Sequence, residues 1–450
     1  MKIVQSVKEN RVLWAEKEIG NLGENYNFDQ DTIRVDTALE YQQVIGFGGA
    51  FTEAAAYTLK NTTEENQKEI IKAYFDKKAG IGYNIGRTTI HGCDFSLEPY
   101  TYIEEGDYEL KTFDMSRDYE AIIPMIRMAE EAAGEKLCLL ASPWSPPAFM
   151  KDTNDINHGG ELLKENYSCW AKYMVKYIKQ MREEGFDINM VSIQNEPQAV
   201  QTWASCIYDA TQEAEFACDY LYEELKKEGL KVNIIIWDHN RDIIYRRVKE
   251  SMNYDKADEK IWGVAYHWYC CNKSENLAMV HKEYPNLHLL FTEGCVELVN
   301  VSGSTSSKEG AGAWTHGETY GRNIINDMNN FCEGWMDWNL ILNEQGGPNY
   351  VGNYCEAPIM VDRNEDKVIK NVSYYYIGHI SKYVHHGATR IDTMNDVEGG
   401  LYTASFKNPD GSVVVVAQHE CEEERKVALV VDGKGVDVVL PAHSITTFII

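Results

Sequence analysis

Positive charge is scarce in this chain. Across 450 residues, 43 Lys and Arg stand against 70 Asp and Glu, a formal charge of −27. A surface this acidic repels phosphate backbones and anionic membranes, which argues against nucleic acid and lipid surfaces as partners. Long apolar runs are also missing. Nothing approaches the ~20 residues that a membrane helix needs, so no stable membrane insertion is expected. The opening residues 1–18 lack the apolar run of about 7–15 residues that marks a secretory signal. With Met1 in place, a cytoplasmic protein is expected, or a secreted one whose signal was removed. The 11 cysteines are an odd number, and Cys270 and Cys271 are adjacent. That pattern gives no disulfide framework and fits a reducing compartment. Cofactor signatures are absent as well. Gly46-x-Gly48-Gly49 lacks the third glycine and the distant acidic partner of a dinucleotide fingerprint, and there is no Gly-x-Ser-x-Gly elbow. His91, Cys93 and Asp94 lie close together without metal-ligand spacing, and His385-His386 has no second ligand cluster nearby. Neither a metal nor a cofactor is expected.

What is present is rhythm. Hydrophobic residues make up 44% of the chain, enough for a large core. From about residue 41, apolar runs alternate with amphipathic stretches. The expected strands are 44–51, 84–90, 136–143, 189–196, 233–238, 263–269, 288–294 and 334–341. Near-continuous apolar strands separated by helices argue for a parallel sheet, and eight such units for closure into a (β/α)8 barrel. The stripe of Trp170, Tyr173 and Tyr177 falls at i, i+3, i+7, as in a helix packed on a barrel. The tail changes character. Alternating runs at 401–406, 412–418, 426–431, 436–441 and 444–450 predict an antiparallel module. Residues 1–40 also look strand-like and are expected to join it. The resulting division is 1–40 and 376–450 for a β side domain and 41–375 for the barrel.

Barrel active sites form at the C-terminal ends of the strands. There the fourth expected strand ends in Gln194-Asn195-Glu196-Pro197 and the seventh in Phe291-Thr292-Glu293-Gly294. Two carboxylates on opposed strands can flank a glycosidic bond, one protonating the departing oxygen and the other attacking the anomeric carbon. The abundant aromatics, 10 Trp and 28 Tyr, fit sugar stacking.

The ordered set Gly46-Phe47-Gly48-Gly49-Ala50-Phe51-Thr52-Glu53, Cys93-Asp94-Phe95-Ser96, Ser142-Pro143-Trp144-Ser145-Pro146-Pro147, Asn195-Glu196-Pro197, His267-Trp268-Tyr269, Phe291-Thr292-Glu293-Gly294 and Trp338-Asn339-Leu340 resembles glycoside hydrolase family 30, particularly its glucosylceramidase-like branch. The likeness spans nearly the whole chain. It implies a retaining exo-β-glycosidase with Glu196 as acid/base and Glu293 as nucleophile, and a β-sandwich built from both termini. Asn195 would contact the sugar 2-hydroxyl, and Asp94 and Trp144 would grip hydroxyls at the non-reducing end. Trp338 would form an aromatic wall and Asn353 a nearby amide. His267 and Tyr269 would stand beside the nucleophile, and Arg87 would orient it. Structural alternatives exist: Trp144 as a packing anchor, Trp338 as core, His267 as a hydrogen-bonded structural histidine, Arg87 as a partner for rim carboxylates. As a proton donor, Glu196 is expected to have its pKa raised by the Glu293 charge. The expected substrate is a small β-glucoside or oligosaccharide. β-Xylosidase, β-fucosidase and endo-β-1,6-glucanase activities remain alternatives, as does an inactive carbohydrate-binding barrel.

Overall fold

A computed structural model describes residues 1–298 and 309–450. Three strands open the chain: β1 (Lys2–Val7), β2 (Val12–Glu18) and β3 (Asp31–Gln43). Then come β4 (Gly46–Phe51), β5 (Ile85–Ile90), β6 (Cys138–Pro143), β7 (Ile188–Ser192), β8 (Asn233–Asn240), β9 (Gly263–His267) and β10 (His288–Glu293). After the short β11 (Val296–Glu297), β12 (Gly334–Asn339) pairs with both β10 and β4 and closes a parallel barrel in the order β10-β12-β4-β5-β6-β7-β8-β9. These are the eight units expected from the apolar runs.

The barrel interior is a packed core. Ile85, Leu140, Met190, Ile235, Ala265, Leu290 and Met336 form one buried cluster, a side chain from each barrel strand except β4. At that level β4 carries Gly48, in register with Ile85 and Met336. A Cβ on Gly48 would lie 2.0 Å from the Ile85 carbonyl oxygen. The glycine-rich β4 is therefore a demand of close strand approach and not a nucleotide loop. Around the barrel the helices bury their apolar stripes. In the helix Tyr167–Glu183, Trp170, Tyr173 and Tyr177 all face inward.

Past the barrel, β13 (Ile341–Asn343), β14 (Cys355–Glu356), β15 (Ile359–Asp362) and β16 (Lys367–Lys370) build small ladders over the rim. The β11–β14 pair ties the segment after Glu293 to the segment that carries Asn353. The tail then forms β17 (Thr389–Asn395), β18 (Leu401–Lys407), β19 (Val413–His419), β20 (Arg425–Val431), β21 (Lys434–Leu440) and β22 (Ser444–Ile449). With β1–β3 these make a sheet in the order β2-β1-β22-β19-β18-β17-β3-β20-β21. Ile3, Val415 and Phe448 from one half share a core with Ile33, Leu429 and Leu440 from the other, so the sheet folds over on itself. β17 escaped the sequence reading because its TRIDTMN run is too polar to look like a buried strand. Alternate residues of β18, β19 and β22, such as Phe406, Val416 and Ile445, belong to the barrel's own apolar cluster, which fixes the side domain against it. Among the described residues, no helix is long and apolar enough to cross a membrane.

Candidate active site

At the C-terminal end of the strands lies a cavity of about 230 Å³ lined in part by Asp94, Asn195, Glu196, Trp203, His239, Tyr269, Glu293, Trp338 and Asn353. A larger hollow of about 660 Å³ opens by Ile45, Asn84, Cys138 and His386, beside the N-terminal strand ends. Barrel chemistry resides at the opposite end, and among the described residues Glu135 is the single carboxylate that lines that hollow.

Glu293 ends β10, in register with His267 on β9. Gly294 follows because space is lacking: a Cβ there would sit 2.5 Å from the Phe291 ring and 2.7 Å from Trp268. Both oxygens of Glu293 are held. Arg87 Nη1 donates to Oε2 at 2.6 Å, and the Tyr269 hydroxyl donates to Oε1 at 3.0 Å. Burial pushes the Glu293 pKa above its ordinary range and the Glu196 charge adds to this, while His267 and Arg87 pull it back.

Glu196 is placed differently. β7 stops at Ser192, so Glu196 stands in the following loop and not at the strand end expected from the sequence. Its backbone N–H donates to the Asp238 carbonyl at 2.9 Å, which ties the loop to β8. Its φ is 48°, and Trp237 and Asp238 also have positive φ, at 74° and 46°. Three side-chain-bearing residues in this region mark strain concentrated at one place on the rim. Oε1 of Glu196 lies 3.1 Å from His267 Nδ1 and 3.2 Å from His239 Nδ1. Burial would push Glu196 up, but the two histidines outweigh it and hold the carboxyl below the ordinary carboxylate range. The expected upward shift is thus reversed, because the histidines act on Glu196 more strongly than the Glu293 charge does. His267 moves the other way. Burial lowers its pKa, yet the charges of Glu293, Asp238 and Glu196 raise it to about 9.

The unexpected hub is Asp238, buried at the end region of β8. Its Oδ1 accepts from Thr292 Oγ1 at 2.6 Å and meets His267 Nε2 at 3.2 Å. Its Oδ2 accepts from Arg87 Nη2 at 2.8 Å and Ser142 Oγ at 3.1 Å. Burial opposes its charge, but Arg87 and these donors hold its carboxyl well below the usual range. Arg87 Nη2 also reaches Asn195 Oδ1 at 2.8 Å, and its Nε reaches Ser142 Oγ at 3.1 Å.

Asp94, Asn195, Glu196, Tyr269, Glu293, Trp338 and Asn353 are all brought to the cavity wall. Arg87, Trp144 and His267 are fully or almost fully buried behind it. Trp144 stacks on Trp338 with ring centroids 5.3 Å apart, and Arg87 lies against both rings. His267 stands beside Glu293 on the neighbouring strand, and its direct contacts are with Glu196 and Asp238. Among the described residues, Asp94 Oδ1 and Asn353 Oδ1 are buried oxygens with no hydrogen-bond partner. Burial, with the charges of Glu293 and Glu196, pushes Asp94 well above the carboxylate range. His91 is spent on structure, its ring nitrogens each 2.7 Å from Tyr173 Oη and the Ser145 carbonyl, which removes it as a metal ligand. Sequence reasoning missed Asp238 and His239. Their signal was available: both follow the apolar run of the fifth barrel strand, as Glu293 follows that of the seventh.

Comparison with known proteins gives a consistent result. Residues 44–384 match the family model for the glycosyl hydrolase family 30 TIM-barrel domain, and residues 387–448 match that for the family 30 beta sandwich domain. The lysosomal acid glucosylceramidase of Mus musculus is 30% identical over 426 residues, covering 91% of this chain and 81% of its own. The crystal structure of SrfJ from Salmonella typhimurium superposes with a TM-score of 0.93 at 33% identity, covering 100% of this chain and 99% of the other. A solved endo-β1,6-glucanase superposes with a TM-score of 0.86 at 27% identity, again covering 100% and 99%.

Proposed function

Because the chain belongs to glycosyl hydrolase family 30, we propose that it is a retaining exo-β-glycosidase acting on a terminal β-D-glucosyl residue. The observation that carries this reading is the unequal treatment of two carboxylates in one pocket. Glu293 has both oxygens held by Arg87 and Tyr269, so it is aimed and rigid, as a nucleophile must be. Glu196 touches a histidine that holds a proton to about pH 9, so it has a proton source at hand.

The reaction then runs in two displacements. In the first, a proton moves from His267 Nδ1 to Glu196 Oε1 across 3.1 Å, and the remaining Nε2–H stays on Asp238. Sugar binding favours this move, because expelling water penalises the separated charges of Glu196 and His267. Glu293 attacks the anomeric carbon while the glycosidic C–O bond breaks, and Glu196 gives its proton to the leaving oxygen. In the second, Glu196 takes a proton from water, whose oxygen displaces Glu293 and releases the sugar with its configuration retained.

Pocket size supports exo action. The recess at Asp94, Glu196 and Glu293 is about 230 Å³, below the ~300–1,000 Å³ that holds a drug-sized ligand. A second hollow of about 410 Å³ shares Tyr269, Cys270, Cys295 and Glu297 with it and offers room for a leaving group. Asp94 and Asn353 offer unpartnered polar atoms to the hydroxyls of a single sugar. The similarity to an endo-β1,6-glucanase keeps internal β-1,6 cleavage as the competing outcome. Digestion of a reduced β-1,6-linked gluco-oligosaccharide decides between them. Stepwise release of glucose as the β-anomer by proton NMR is the expected result. An early mixture of shorter oligosaccharides would establish endo action instead, and an initial α-anomer would overturn retention.

A further inference from the structure

We propose that Glu196, His239 and His267 form a binding site for a divalent cation of the zinc–copper class, and that a bound ion shuts the pocket down. Among the described residues, these three side chains alone have ligand atoms all within 4.8 Å of one another in a metal-competent set. The individual spacings are tighter. Glu196 Oε1 lies 3.1 Å from His267 Nδ1 and 3.2 Å from His239 Nδ1. A tetrahedral ion with bonds of about 2.0–2.1 Å spaces its ligand atoms ~3.3 Å apart, so these pairs are already near the required edge length.

Two imidazoles and one carboxylate select borderline ions such as Zn²⁺ and Cu²⁺ over Mg²⁺ and Ca²⁺, which prefer oxygen. Support from behind is in place. The second ring nitrogen of His267 meets Asp238 Oδ1 at 3.2 Å, and Asp238 is itself pinned by Thr292 and Arg87. A carboxylate behind a ligating histidine is the usual way in which ring orientation and tautomer are fixed for a metal. His239 packs on Trp237 with centroids 5.0 Å apart, which restrains the other ring. Its Nδ1 faces Glu196 Oε1 at 3.2 Å and, among the described residues, has no other contact, so an ion held between the two atoms would give both a ligand bond. The fourth coordination position opens on the cavity, since Glu196 and His239 both line it.

Such an ion would occupy Oε1, the atom next to His267 on which the leaving-group proton is carried. Metal and acid proton cannot share it. Inhibition therefore rests on the role proposed for Glu196, whereas binding does not.

The test is titration of the purified, EDTA-treated protein with Zn²⁺ by calorimetry and with Co²⁺ by visible spectroscopy, alongside aryl β-glucoside kinetics. One Zn²⁺ per chain is expected, with an intense tetrahedral cobalt spectrum and inhibition competitive with substrate. His239→Asn should weaken binding at least tenfold, and Glu196→Gln should do the same at a residue on the cavity wall, with circular dichroism showing that each variant is folded. Mg²⁺ should neither bind nor compete. The site is overturned if no ion binds, if both folded variants bind with unchanged affinity, or if cobalt shows thiolate charge-transfer bands, which would place the ion on cysteines such as Cys270 and Cys271. Binding at these residues without inhibition would instead overturn Glu196 as the proton carrier.

Discussion

Arg87 Nη1 lies 2.6 Å from Glu293 Oε2, an ion pair whose two side chains are almost wholly withdrawn from solvent. The same guanidinium serves Asp238, Asn195 and Ser142, and it is pressed against Trp144 with 4.7 Å from its carbon to the ring centroid. One residue on the second barrel strand thus aligns groups from the third, fourth, fifth and seventh. Lysine keeps the charge but cannot present a planar fork to several acceptors. Arg87→Lys should lower kcat/KM by roughly 10²-fold or more, since misplaced reacting groups alone cost that much. It should also destabilise the fold by about 1–3 kcal/mol, the cost of leaving a buried acceptor without its donor, because one ammonium cannot reach all the groups that the guanidinium serves. Steady-state kinetics with denaturant unfolding checks both, and wild-type activity in Arg87→Lys would remove Arg87 from the positioning machinery.

The two glutamates should fail in different ways. Glu293→Gln removes the attacking carboxylate, so activity should fall on every substrate alike. Glu196→Ala removes proton transfer, worth about 10²–10⁴-fold. A dinitrophenyl glucoside hardly needs a proton to depart, so its first step should stay fast in Glu196→Ala. Added azide, which needs no base, should then speed turnover and yield a β-glycosyl azide. A β-glycosyl azide from the Glu293 variant, or an α-glycosyl azide from Glu196→Ala, would exchange the two roles.

His267 links the site to pH. Its folded pKa of about 9 lies above the ordinary 6.5, so its charge stabilises the fold fully below about pH 6.5 and ceases to do so as pH rises through 9. The wild-type Tm should therefore fall across that window, and His267→Asn should flatten the fall. The alkaline limb of kcat/KM follows the same shared proton. In His267→Asn that limb should move to lower pH, because His239 still holds the Glu196 carboxyl down. An unmoved limb would show that His267 is only a structural neighbour.

Asp94 should act on specificity more than on chemistry. With Oδ1 buried, unpartnered and at the cavity wall, it awaits a sugar hydroxyl. Leaving that hydroxyl without its partner costs about 1–3 kcal/mol, which corresponds to roughly 5–150-fold in kcat/KM. Asp94→Ala should show this loss on the glucoside. It should show little on whichever deoxy-glucoside lacks the contacted hydroxyl. Equal losses on every member of a deoxy series would indicate a packing role instead.

Much of the design is local and could be read from the chain. Apolar runs such as NIIIWD and HLLFTE report burial on both faces, and that is a property of neighbouring residues in sequence. The pair Glu196 and Glu293 stood out because a carboxylate directly after such a run has little reason to be there except at a barrel rim. β17 was not legible, because its partners β3 and β18 supply the pairing that its own composition does not advertise. Nor was the sign of the Glu196 shift. Both histidines that lower it come from other strands, β8 and β9, and a pKa responds to charges within a few ångströms whatever their separation in sequence. Asp238 shows the same division. Its position after an apolar run was visible, but its role as the meeting point of Arg87, Ser142, His267 and Thr292 exists only once four other strands have closed around it. Sequence by itself determined the strand–helix alternation and the paired glutamates, because each is written in adjacent residues. Tertiary structure alone decided which glutamate the histidines touch, which one the arginine clamps, and where the protons rest, because those depend on distances across a closed barrel.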